Sequence, residues 1–71
     1  MKTARVKYGL TVAGQMVYRG TVVTVLDPLS SQVQNVWPGI ENRMSQTAVV
    51  VQFPHLSFPI LADSSELEID K

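Results

Sequence analysis

Val17-Tyr18-Arg19-Gly20-Thr21-Val22-Val23-Thr24-Val25-Leu26 is the stretch on which the fold turns. Its β-branched residues suit a pleated, half-buried surface, so it reads as a strand. Asp27-Pro28 closes it, because the residue before a proline is pushed out of the helical region. A second run of the same kind, Thr47-Ala48-Val49-Val50-Val51-Gln52-Phe53, stops at Pro54. Period-two alternation puts Val49, Val51 and Phe53 on one face of it, assigned here to the core. Ser57-Phe58-Pro59-Ile60-Leu61 reads as a third strand. Pro59 has no amide proton for a ladder, which places that strand at an edge or makes it irregular there.

Weaker strand patterns lie toward both ends. Arg5-Val6-Lys7-Tyr8 and Leu67-Glu68-Ile69-Asp70 alternate polar with apolar residues, with Leu67 and Ile69 turned inward. Asp63-Ser64-Ser65-Glu66 resembles a capping box with room for one turn, so a short 3₁₀ turn is expected to feed the last strand. Residues 28–46 form the longest connection, and connections of that length in a compact domain are uncommon. Leu29, Val33 and Val36 recur at near-helical spacing, which predicts a short helix in its first half. Trp37-Pro38-Gly39 breaks that helix, with Gly39 free to take a positive φ. Two roles are open to the segment: a functional loop on a rigid scaffold, or an insertion whose Trp37 covers the open end of a barrel.

At 71 residues the chain is one domain, residues 1–71, and a small one. Such a core seldom yields more than about 3–5 kcal/mol of net stability without staples. There is no cysteine, so disulfides and thiolate metal sites are excluded, and the single histidine, His55, cannot build a zinc site without acidic neighbours. Packing and self-association remain, which makes an oligomer or a docked subunit the natural expectation. Six basic residues balance six acidic ones, a poor match to the positive charge common in nucleic-acid-binding domains. The charges are unevenly spread: Lys2, Arg5, Lys7 and Arg19 fall early, and Asp63, Glu66, Glu68 and Asp70 crowd the tail. Pairing of the terminal strands would bring these signs together. No apolar run reaches the ~18–20 residues that span a bilayer, and the start lacks a secretory leader's apolar stretch. The expectation is a soluble protein without membrane insertion, cytoplasmic or stromal-type and peripheral to a membrane complex.

No catalytic constellation emerges. The glycines at 9, 14, 20 and 39 match no phosphate-binding spacing. A Ser-His-Asp set can be written from His55 and Asp63, yet nothing marks a nucleophile, and Phe53-Pro54-His55-Leu56 reads as a turn. The chain is therefore expected not to be an enzyme and to carry no cofactor and no metal. Tyr8, Tyr18, Phe53, Trp37 and Phe58 are candidates for a binding face, with Phe53 and Phe58 assigned to the core. Tyr, Trp and Arg are favoured anchors at protein interfaces. The binding residues expected on that ground are Trp37, Arg19, Tyr18, Arg43 and Lys7.

The order of features resembles a known group. A basic first strand, Arg5-Val6-Lys7, is followed by the "GxV" of Gly20-Thr21-Val22, the "VxF" of Val51-Gln52-Phe53 and the "EL" of Glu66-Leu67. This resembles the small SH3-like barrels that serve photosynthetic electron-transfer complexes as accessory subunits. They include the ferredoxin-docking subunit of photosystem I, the variable chain of ferredoxin–thioredoxin reductase, and small subunits of the NAD(P)H dehydrogenase-like complex. The segment 28–46 is longer than in those subunits, and no docking residue matches one for one. The expected fold is all-β, a small five-stranded SH3-like barrel with the insertion, about 28–46, between its second and third strands. The expected role is a non-catalytic protein–protein interaction module docking on a larger complex. Two alternatives stand beside it: a KOW-like barrel binding RNA or DNA, and a homo-oligomeric barrel with a ligand site between subunits.

Overall fold

A computed structural model describes residues 2–69. Within them lie seven strands: β1 Lys2–Val6, β2 Leu10–Val12, β3 Gln15–Val17, β4 Val22–Leu26, β5 Ala48–Gln52, β6 Ile60–Asp63 and β7 Leu67–Ile69. One helical turn, α1 Ser31–Gln34, and 3₁₀ turns at Ile40–Asn42 and Ser64–Glu66 complete the list. Five strands make one curled antiparallel sheet in the order β6-β5-β4-β1-β7, and β2 and β3 form a separate hairpin. The meander β4-β5-β6, with β1 beside β4 and β7 on the far side of β1 after a 3₁₀ turn, forms a half-barrel, in keeping with the small all-β barrel expected from the sequence. Asp70 lies outside the described residues, so the expected last strand is seen only to Ile69.

The long run 17–26 is not one strand. It breaks after Val17, and Tyr18-Arg19-Gly20-Thr21 makes a turn in which Thr21 N–H donates to Tyr18 O at 3.1 Å. Gly20 takes φ +88° at the third position of that turn, the place where a type II turn needs a positive φ. Before the break, Ala13 (φ +51°) and Gly14 (φ +77°) join β2 to β3 with Val12 opposite Gln15. Two consecutive positive φ values mark the type I′ turn whose twist suits a two-residue hairpin. The expected first strand likewise ends early, at Val6.

Each face of the sheet has its own core. The inner face carries Ala4, Val6, Val23, Val51, Phe53 and Leu67, and Val17 of the hairpin is buried among them. Val49 and Ile69 are partly buried against this cluster, so the expected core face holds. Leu10 and Val12 also pack there, which makes the hairpin the cover of the inner face. Val50 points the other way and is buried with Val33 and Ile40, with Leu26 and Met44 beside them. Residues 28–46 thus fold back over the outer face of β4 and β5 and do not cap the barrel's open end. Apolar cover on both sides explains why β5 is a continuous apolar run.

The insertion is held by its own polar groups. Ser30 caps α1, with Val33 N–H donating to its Oγ at 3.4 Å. Gln34 Nε2 donates to Pro28 O at 2.7 Å and to Glu41 Oε2 at 2.6 Å, while its Oε1 accepts from Gly39 N–H at 3.0 Å. Gly39 has φ +73°, as the sequence implied. Of the three residues at helical spacing only Val33 is buried, while Leu29 and Val36 stay exposed. At the other end of the sheet Asp63 caps the second 3₁₀ turn by accepting from Ser65 N–H at 3.0 Å. Hydrogen bonds from the Ser65 backbone and side chain hold the Asp63 carboxyl below the usual carboxylate range.

Candidate interaction surfaces

Two concave surfaces carry chemistry, and each follows from the fold. The first is built at the end of β1. Antiparallel pairing sets Arg5 directly opposite Glu68 on one side and Val22 on the other. Ala4 and Val6 are buried, so alternation turns Arg5 to the outer face. Lys7 follows where β1 stops, its N–H donating to Glu66 O at 2.9 Å. The Tyr18–Thr21 turn is tied to the same point by Gly20 N–H to Val6 O at 2.8 Å and Val6 N–H to Thr21 O at 3.0 Å. Those bonds bring Arg19 beside Arg5 and Lys7. The result is a cleft of about 510 Å³ whose walls include Arg5, Lys7, Tyr8, Arg19 and Glu68.

The second surface lies at the β6 edge of the sheet. Trp37 N–H closes α1 on Val33 O at 2.8 Å, and its indole Nε1–H donates to Pro59 O at 2.6 Å. The ring is thereby fixed, yet the residue remains 41% exposed. Trp37, Ile40, Ile60 and Leu61 line a groove of about 230 Å³. Leu61 stands on the outer face of β6 opposite Val50, and Ile60 on the inner face opposite Val51. A groove drawn from both faces of one strand runs along that strand's edge, and among the described residues β6 has a hydrogen-bonded neighbour strand on one side only.

No protein-family model, curated protein or solved structure matches the chain. The residues themselves must carry the reading. Lys7 and Arg19 come together in the basic cleft. Tyr18, next to Arg19 in the chain, does not line the cleft; it is 72% exposed, its carbonyl accepting from Thr21 N–H and Thr21 Oγ1. Trp37 belongs to the other surface. Arg43 closes the Ile40–Asn42 turn through its N–H to Ile40 O at 2.9 Å, is exposed, and lines neither concavity. Phe58 is exposed and not in the core, because the strand expected from Ser57 begins only at Ile60 and leaves residues 57–59 in the connection before it. His55 does sit in the β5–β6 turn, edge-on to Phe53 at 5.9 Å, with Nε2 3.3 Å from Val12 O.

Sequence reasoning missed Arg5, Glu68 and Leu61 as site residues. The signal for each was alternation: all three stand between inward-facing neighbours on strands. Among the described residues no group of three or more His, Cys, Asp or Glu is placed to hold a metal ion. None of their helices is long and apolar enough to cross a membrane.

Proposed function

We propose that this chain is a non-catalytic protein-interaction module, a small accessory subunit that docks on a larger complex. The observation that carries the reading is the fixed, half-exposed Trp37 in an apolar groove along the outer edge of β6. An exposed strand edge beside apolar residues is a template for a further chain, and proteins that leave one open commonly use it. Here the charge (Asp63) and the proline (Pro59) that guard the edge stand at the two ends of the strand, and Leu61 between them is exposed. A preorganised tryptophan adds a rigid anchor with little entropy left to lose on binding. The role agrees with that of the accessory subunits the sequence resembles.

The test is a tagged chain expressed in its native cell, with native sizing of the extract. The wild type is expected in a particle much larger than the chain, and Leu61→Lys, which places a charge on the exposed edge, is expected to release it. Trp37 is the only tryptophan, so its emission reports on the groove directly. A blue shift in the assembled state, lost in Leu61→Lys, is the expected signature. A wild-type chain that elutes alone at monomer size from the native extract overturns the proposal.

A further inference from the structure

Three cationic side chains reach the cleft at the end of β1 from three separate backbone positions. Arg5 comes from the outer face of β1, Lys7 from the point where it ends, and Arg19 from the corner of the Tyr18–Thr21 turn. Among the described residues Glu68 is the one carboxylate in the wall, so three positive charges against one negative give the cleft +2. The whole chain is neutral, with six basic and six acidic residues, so this is a local concentration of charge. Like charges in the wall of one cleft repel, and the backbone hydrogen bonds of Val6, Lys7 and Gly20 hold together the segments that carry them. Such an arrangement is complementary to an anion. Two guanidinium groups favour a planar oxyanion that can be gripped by two parallel hydrogen bonds, as a carboxylate can.

We infer that this cleft is a docking site for a carboxylate-rich segment of a partner polypeptide. The site stands on its own geometry; only the choice of a polypeptide rests on the reading of the chain as a protein-interaction module. The surroundings favour a short acidic segment over a nucleic-acid backbone. Glu68 stands in the wall, and Glu66 and Asp63 precede it along the chain. The charge of the cleft matches a few carboxylates, whereas a polyphosphate carries a further charge on every unit beyond it. Tyr8, exposed at the wall, adds a ring and a hydroxyl that suit a peptide chain.

The experiment is fluorescence anisotropy with a labelled Asp/Glu-rich peptide, its Asn/Gln counterpart and a short single-stranded oligonucleotide, each at low and at physiological salt. The acidic peptide is expected to bind at low salt and to weaken as salt rises, and the amide peptide not to bind. Arg19→Glu is expected to weaken binding at least about tenfold, the loss of one charge-assisted contact. Lys7→Glu serves as a second reversal should Arg19→Glu disturb the turn. Glu68→Gln is expected to tighten binding, and Arg43→Glu, which lies outside the cleft, to leave it unchanged. The inference is overturned by no binding at low salt, by equal losses in Arg43→Glu and Arg19→Glu, or by tighter binding of the oligonucleotide. Because Leu61 takes no part in this cleft, Leu61→Lys must bind the acidic peptide like the wild type. Failure here is thus separable from failure at the β6 edge.

Discussion

Ala13 holds φ +51° at the tip of the β2–β3 hairpin, a conformation in which a Cβ crowds the neighbouring carbonyl at about 1–2 kcal/mol. The same position in a type I′ turn is the preferred place for asparagine, whose side chain hydrogen-bonds locally and tolerates the left-handed region. Ala13→Asn is therefore expected to stabilise the protein by about 0.5–1 kcal/mol, read as a higher urea midpoint at unchanged slope. Ala13→Val is expected to move the midpoint the other way. A stabilising effect of valine would mean that the hairpin does not turn at residues 13–14. This turn is where the sequence was least legible. Ala-Gly is a poor turn signal beside Asn-Gly, and three-residue strands offer too little alternation to be seen. Gly20 misled in the other direction. Within so many β-branched neighbours it reads as a strand glycine, although it supplies the positive φ of the turn that places Arg19.

Residues 28–46 show what an element can and cannot disclose. The helix, its break at Trp37-Pro38-Gly39 and the positive φ at Gly39 were all legible, since they depend on local propensity. The destination of the segment was not, because it is decided by a contact with Val50. Val50 was visible as an apolar residue on the face of β5 opposite Val49, Val51 and Phe53, and that was a clue that a second layer exists. If the insertion is a packed layer, Val33, which is 0% exposed, is a core residue. Val33→Ala should then cost about 2 kcal/mol, from ~0.8 kcal/mol per buried methylene-sized group plus the cavity left behind. Chemical denaturation measures it. A cost within about 0.5 kcal/mol, the range of exposed positions, would show that residues 28–46 form a detachable loop.

At the scale of the whole molecule, the doubly covered strands and the two proposed surfaces occupy different parts of one sheet. β5, β4 and β1 each have a strand on both sides, and β4 and β5 are also covered on both faces. Among the described residues the outer strands β6 and β7 have one neighbour each, and the β2–β3 hairpin pairs only with itself. Central placement and burial set the free energy at which backbone hydrogen bonds open, so amide exchange should rank the elements in that order. Val23, Val50 and Val51 are expected among the slowest amides, exchanging only through global unfolding. The hairpin amides are expected to be fastest, and those of β6 and β7 intermediate. Both proposed surfaces lie in the faster zone: the groove along β6, and the cleft where β1 ends against β7 and the Tyr18–Thr21 turn. Binding at either should therefore slow exchange locally while leaving the β4–β5 amides at their global limit. Hairpin amides as protected as those of β5 would mean that β2 and β3 open only together with the sheet they cover, and a partner that slows only β4 and β5 would be acting on global stability without touching either surface.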